Sequence, residues 1–125
     1  MKYLSILLVV ISYLLINTSC TKNNKEDIVA GLTPCDTTNT TYNAVIKPIL
    51  DQYCNSNGCH NATSIAAGYN LEDYNALKPV ALGSRFLQTL RHEPGFSRMP
   101  KGADKLTDCQ IKKIEIWVNN GAQNN

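Results

Sequence analysis

The segment CNSNGCH at residues 54–60 constrains this chain most, because it places a histidine directly after the second of two nearby cysteines. Covalent haem attachment requires two thiols for one porphyrin and an adjacent histidine for its iron, and CxxCH is the usual form. The two extra residues lie within 55–58, which are small, polar and turn-prone, so the spacer can bulge outward without displacing either sulfur. The segment predicts a haem c site. A Cys54–Cys59 disulfide is an alternative.

The sequence offers two candidates for the second axial position of such an iron. Met99 is the only methionine apart from the initiator and lies in an irregular, proline-containing segment, where a thioether ligand would raise the reduction potential. His92, the only histidine besides His60, is the rival, although its polar neighbours suit a solvated surface residue. His60 and His92 could instead bind zinc together with Cys54 and Cys59.

The N-terminal region has the features of an export signal. Residues 4–16 form an almost unbroken apolar run that is too short to cross a bilayer as a helix. Small or polar residues then lead into Cys20, which resembles a bacterial lipoprotein signal. We therefore expect a signal peptide over residues 1–19 and a lipid anchor on Cys20, with plain secretory cleavage near Ser19 as the alternative.

Export would expose the remaining cysteines to oxidising conditions. Cys35, Cys54, Cys59 and Cys109 could pair in three ways, and the sequence alone does not choose among them. The formal net charge is only +2, which gives no indication of nucleic-acid binding.

Residues 20–40 are polar and predict a tether, followed by one small domain over residues 41–122 and a tail at 123–125. The first helix of this domain is expected either to start near Asn43, with Pro48 just past its first turn, or to bend at Pro48. In both cases it delivers Cys54 at its C-terminal end.

Three further helices are expected. One is expected to have Asn70 as its N-cap and an acidic first turn, to run through Leu77 and to be ended by Pro79. The next has Ser84 as its cap candidate and ends near Arg91. The last begins with a capping box, in which Thr107 precedes Gln110 by three residues. Its apolar face comprises Ile111, Ile114, Trp117 and Val118, and Gly121 marks its end. Without convincing strand alternation, the predicted fold class is all-α with long loops.

The order of these features, from helix and CxxxxCH to Met-Pro and a final helix with an aromatic residue, resembles the class I cytochrome c domain. The stretches IKPILDQYC, NLEDYNAL and RMPKGADKLTDCQIKKIEIWVNNGA are similar to exported bacterial cytochrome c-like domains on lipoproteins. The resemblance covers residues 40–122. It implies helices and loops wrapped around one covalent haem.

The resemblance also implies individual roles. Cys54 and Cys59 would carry the thioether bonds, with His60 and Met99 as the proximal and distal iron ligands. The first and last helices of such a domain pack together, which implies a disulfide between the two cysteines that remain, one just before the first helix and one in the last. These are Cys35 and Cys109.

One-electron transfer in the cell envelope is the expected function, since both axial positions are filled and no nucleophile or general base suggests an enzyme. A haem gas sensor or enzyme with a labile sixth ligand, and a non-haem envelope lipoprotein, are the alternatives. We expect a membrane attachment through lipid and a redox partner protein, but no nucleic acid.

Two further expectations concern side chains around the site. Trp117 is expected in the core, with a smaller chance that its indole reaches a haem propionate. A basic rim could bind propionates or an acidic partner. Its residues are Arg85, Arg91, Arg98, Lys101 and Lys105.

Overall fold

The computed structural model describes residues 34–125, and these form an all-α unit without a strand, as predicted. A π-helical turn at Tyr42–Ile46 runs into α1 at Lys47–Tyr53. A short 3-10 turn at Ala66–Gly68 precedes α2 at Tyr74–Ala81, α3 at Ser84–Arg91 and α4 at Asp108–Asn119. The signal peptide, Cys20 and most of the tether lie outside the described residues.

The first helix shows how the chain accommodates a proline. The amide groups of Val45 and Ile46 both donate to the carbonyl of Thr41, so the helix starts with a wide turn. Pro48 follows as the second residue of α1, directly after this wide turn. Cys54 is the C-cap, with φ −118° and ψ −31°. The prediction that this helix delivers Cys54 at its end is confirmed.

Two predicted helix boundaries are wrong. Asp73, and not Asn70, caps α2 by accepting from the amide of Ala76 at 2.9 Å. The helix also continues past Pro79 to Ala81. The carbonyl that loses its partner belongs to Asn75, and both it and Pro79 are exposed, so water can replace the missing bond.

The start of α3 also differs from the prediction, whereas its end near Arg91 is confirmed. Gly83 occupies the cap position with extended backbone (φ −72°, ψ 146°), and no side-chain hydrogen bond is made there. Ser84 is consequently the first helical residue and does not cap the helix.

The capping box of α4 is confirmed. Thr107 accepts from the amide of Gln110 at 3.2 Å, and the Gln110 side chain accepts from the amide of Thr107 at 2.9 Å. The helix stops at Asn119, and Gly121 adopts φ +84°, a left-handed conformation that glycine takes without strain.

Trp117 is a core residue at the contact between α4 and the first helical turn. Its ring stacks on Tyr42, with 5.7 Å between centroids, and Tyr42 meets Tyr74 edge to face at 5.0 Å. The indole nitrogen donates to the carbonyl of Gln123 at 2.9 Å. The indole NH therefore already has a hydrogen-bond acceptor within the protein. The expectation that it could reach a haem propionate is not supported.

One hydrophobic core joins all four helices, while α2 packs on α3 and α3 on α4. Its most deeply buried large side chains are Ile46, Leu50, Leu77, Ile114 and Trp117. Asn125 also contacts the domain, because its side-chain and main-chain oxygens accept from the amides of Tyr42 and Asn43. Within residues 34–125, no helix is both long and apolar enough to cross a membrane.

The disulfide implied by the resemblance is present. Cys35 and Cys109 are bonded, with 5.3 Å between their Cα atoms. The bond attaches the chain before the first helix to the first turn of α4.

Candidate functional site

The four-residue spacer of CNSNGCH bulges outward, as expected. Ser56, Asn57 and Gly58 are exposed, and the amide of Cys59 donates to the carbonyl of Ser56 at 2.9 Å to close a turn. Gly58 has φ +80°, which a side chain would strain. Beyond this turn the backbone returns to Cys54, because the amide of His60 donates to the carbonyl of Cys54 at 3.0 Å.

The two cysteines of this segment are free thiols in contrasting environments. Cys54 is 7% exposed and belongs to the core, whereas Cys59 is partly exposed and accepts from the Ser56 hydroxyl at 3.3 Å. Burial raises the pKa of the Cys54 thiol to about 12, and the nearby Cys59 adds to this shift. Neither sulfur is bonded to another cysteine.

His60 is held by its backbone and by its ring. Its carbonyl accepts from the amide of Leu71 at 2.8 Å, in addition to the bond from its own amide to Cys54. The ring atom Nδ1 lies 3.3 Å from the carbonyl oxygen of Tyr69. A carbonyl only accepts, so Nδ1 carries a proton and, in the neutral ring, Nε2 keeps its lone pair. This is the tautomer that presents Nε2 to a metal.

The loop after His60 is stabilised by side-chain bonds to its backbone. Asn61 accepts from the amides of Thr63 and Ser64, and Glu72 accepts from Ala62 at 2.8 Å. These contacts hold a strained segment, because Ile65 adopts φ 41°, an outlier for a β-branched residue. The loop thereby places the Tyr69 carbonyl beside the histidine ring.

Met99 is partly buried and packs against the same core that contains Cys54. Its amide donates to the carbonyl of Thr89 at 3.1 Å, and its carbonyl accepts from Nε2 of His92 at 3.0 Å. His92 thus contacts the rival ligand candidate directly.

The zinc alternative lacks a preformed site. Across residues 34–125, no group of three or more His, Cys, Asp and Glu side chains is arranged to hold a metal ion. The two cysteines of the motif and the two histidines are therefore not assembled into a four-ligand cluster.

The basic rim is only partly available for a partner. Arg91 pairs with Glu115 at 2.7 Å and with Glu93 at 3.3 Å, and Lys105 pairs with Asp108 at 3.1 Å. The other members of the rim form no ion pair with a described residue; they are Arg85, Arg98 and Lys101.

Sequence reasoning missed the carbonyl partners of the predicted ligands, Tyr69 and Thr89. Both contribute a main-chain oxygen, which every residue has, so no side-chain signal could have identified them.

Comparison of the chain with models of known families, with curated proteins and with solved structures gave no match.

Proposed function

We propose that this protein is a cytochrome c-like one-electron carrier. Cys54 and Cys59 would attach one haem through thioether bonds, and His60 and Met99 would be its axial ligands. The haem would supply an iron that cycles between the ferrous and ferric states.

The observation that supports this proposal most is the orientation of His60. Its Nδ1 is committed to the Tyr69 carbonyl, its amide bonds back to Cys54, and its Nε2 is left without a protein partner among the described residues. Histidines that ligate metals are generally oriented by such a bond at the other ring nitrogen. The two free thiols on either side of the bulge supply the donor set that covalent haem needs.

The residues of the chain would act mainly by holding the iron in one geometry. The carbonyl of Tyr69 orients the imidazole and increases its basicity, while the bonds of Met99 to Thr89 and His92 fix the thioether segment. With both axial positions filled, no substrate would bind the metal. Little rearrangement would accompany electron transfer, because the ligand segments are already fixed.

The non-haem alternatives have less support. The part of the chain in the structure contains no preformed zinc cluster, and Cys54 and Cys59 are not joined to each other. A gas sensor would need a vacant or labile sixth position, whereas the backbone of Met99 is held by two hydrogen bonds.

The same proposal places the protein in the cell envelope. The predicted leader over residues 1–19 and the lipid anchor at Cys20 would export and tether the domain, which would exchange electrons with a partner protein.

Replacement of cysteine pairs tests covalent attachment. The protein would be produced in a bacterium able to attach haem, and its pyridine haemochrome spectrum and intact mass would be measured. We expect one haem per chain in the wild type and none bound covalently in Cys54→Ala/Cys59→Ala, since the thioether sulfurs are gone.

The matched control removes the other two cysteines of the domain. Cys35→Ser/Cys109→Ser should keep the covalent haem. In the wild type these two sulfurs are bonded to each other, and they lie outside the CxxxxCH motif. Colourless wild-type protein without added haem mass would contradict the proposed function.

A further inference from the structure

His92 and Met99 are joined in a way that the electron-carrier proposal does not use. The ring atom Nε2 of His92 lies 3.0 Å from the carbonyl oxygen of Met99. Because that oxygen can only accept, Nε2 must carry the proton. A protonated ring nitrogen has no lone pair for iron, so this contact and ligation through Nε2 exclude each other.

The position of His92 makes this contact part of the end of a helix. His92 is the C-cap of α3 and adopts φ 59° and ψ 37°, a left-handed conformation that ends the helix. Its own amide bonds to the carbonyl of Thr89. The cap turns the backbone away from the axis of α3, and the imidazole of His92 contacts the carbonyl of Met99, seven residues later.

The second hydrogen bond of Met99 completes the arrangement. Its amide donates to Thr89 at 3.1 Å, so both main-chain polar groups of Met99 are bonded to α3 or its cap. Only side-chain torsions then remain to be fixed when the thioether binds a metal. Ordering the backbone in advance reduces the entropy that ligation must overcome.

We propose that His92 is a positioning residue that fixes the backbone of Met99 for ligation, and that its Nε2 is not the sixth ligand. This inference rests on the proposed function, since it concerns the same haem site.

Displacement of Met99 from ferric holoprotein by imidazole tests the inference. The weak long-wavelength absorption band of thioether-to-ferric-iron ligation reports how much Met99 remains bound. His92→Gly removes the donor but tolerates the left-handed cap. We expect imidazole to bind this variant about two- to tenfold more tightly, the range given by the loss of one hydrogen bond.

A conservative replacement separates positioning from general stability. In His92→Gln the amide nitrogen can donate over a similar reach, so imidazole affinity should return toward the wild-type value. Met99→Ala should lack the band altogether. Unchanged imidazole affinity in His92→Gly would overturn the inference, as would a band that persists in Met99→Ala but disappears in His92→Gly.

A measurement on the wild type covers the case in which the variants do not fold. Nitrogen-15 NMR of the ferrous holoprotein should show the proton of the His92 ring on Nε2, and a proton on Nδ1 instead would refute the contact. Protein without covalent haem would contradict the proposed function, whereas haem-bound protein with unchanged imidazole affinity would contradict only the role of His92.

Discussion

At the scale of single residues, the two thiols of the motif differ more than their spacing suggests. Cys54 ends α1 inside the core, whereas Cys59 follows the exposed bulge. The sequence made both cysteines and His60 candidates for the site, because their side chains are suited to haem attachment and iron ligation. It could not rank the thiols by burial, since Cys54 belongs to a core that also contains residues distant in sequence, such as Leu90 and Ile114.

This difference predicts unequal reactivity in protein produced without haem attachment. A raised pKa favours the protonated thiol, so little Cys54 thiolate forms until the pH approaches about 12. With iodoacetamide near neutral pH, Cys59 should be alkylated first and Cys54 much more slowly. Mass spectrometry of peptides would give the two rates.

Denaturant provides the control for that comparison, because unfolding removes the burial that protects Cys54. The two thiols should then react at similar rates. Equal rates in the native protein would mean that Cys54 is not buried.

At the scale of elements, a capping side chain predicted the start of a helix correctly only where the same residue also had the non-helical backbone conformation of a cap. Thr107 and Gln110 bond reciprocally, so their spacing alone identifies the start of α4. Ser84 has a suitable side chain, but the extended backbone belongs to Gly83. The prediction that Pro79 ends α2 was wrong. A proline inside a helix is tolerated when the carbonyl that loses its partner, here that of Asn75, can bind water, and the sequence does not reveal this exposure.

Two single replacements compare a real cap with a residue that only resembles one. Thr107→Ala should lower the free energy of unfolding by about 1 kcal/mol, since the amide of Gln110 loses its acceptor. Ser84→Ala should change it by only a few tenths, because no side-chain cap bond is present. Urea denaturation of both variants measures the difference.

A conservative variant checks the assigned cause. Thr107→Ser keeps the hydroxyl and should recover most of the lost stability. A larger loss in Ser84→Ala than in Thr107→Ala would contradict the assignment of the two caps.

At the scale of the whole molecule, the N-terminal part of the described domain is fixed to the last helix at two points. Trp117 of α4 stacks on Tyr42 near the start of the first helix, and Cys109 of α4 is bonded to Cys35. The helical class could be predicted from periodicity, but the Tyr42 stack could not, since a lone aromatic residue before a helix does not identify its partner.

The disulfide should contribute much of the stability of this small domain. It spans 74 residues, and in the chain-entropy model such a loop stabilises the folded state by about 4 kcal/mol. Cys35→Ser/Cys109→Ser should therefore unfold at markedly lower urea concentration. Adding a reductant should produce the same shift in the wild type and none in the double variant; a wild type insensitive to reduction would contradict the assigned contribution.

The same covalent link has a consequence for fragments of the protein. Most of the exposed loops, including residues 101–105, lie between Cys35 and Cys109. A protease that nicks one of them once leaves two peptides that still migrate as a single species on a non-reducing gel. The two peptides separate only after the cystine is reduced, so a molecule cleaved once in such a loop remains covalently linked.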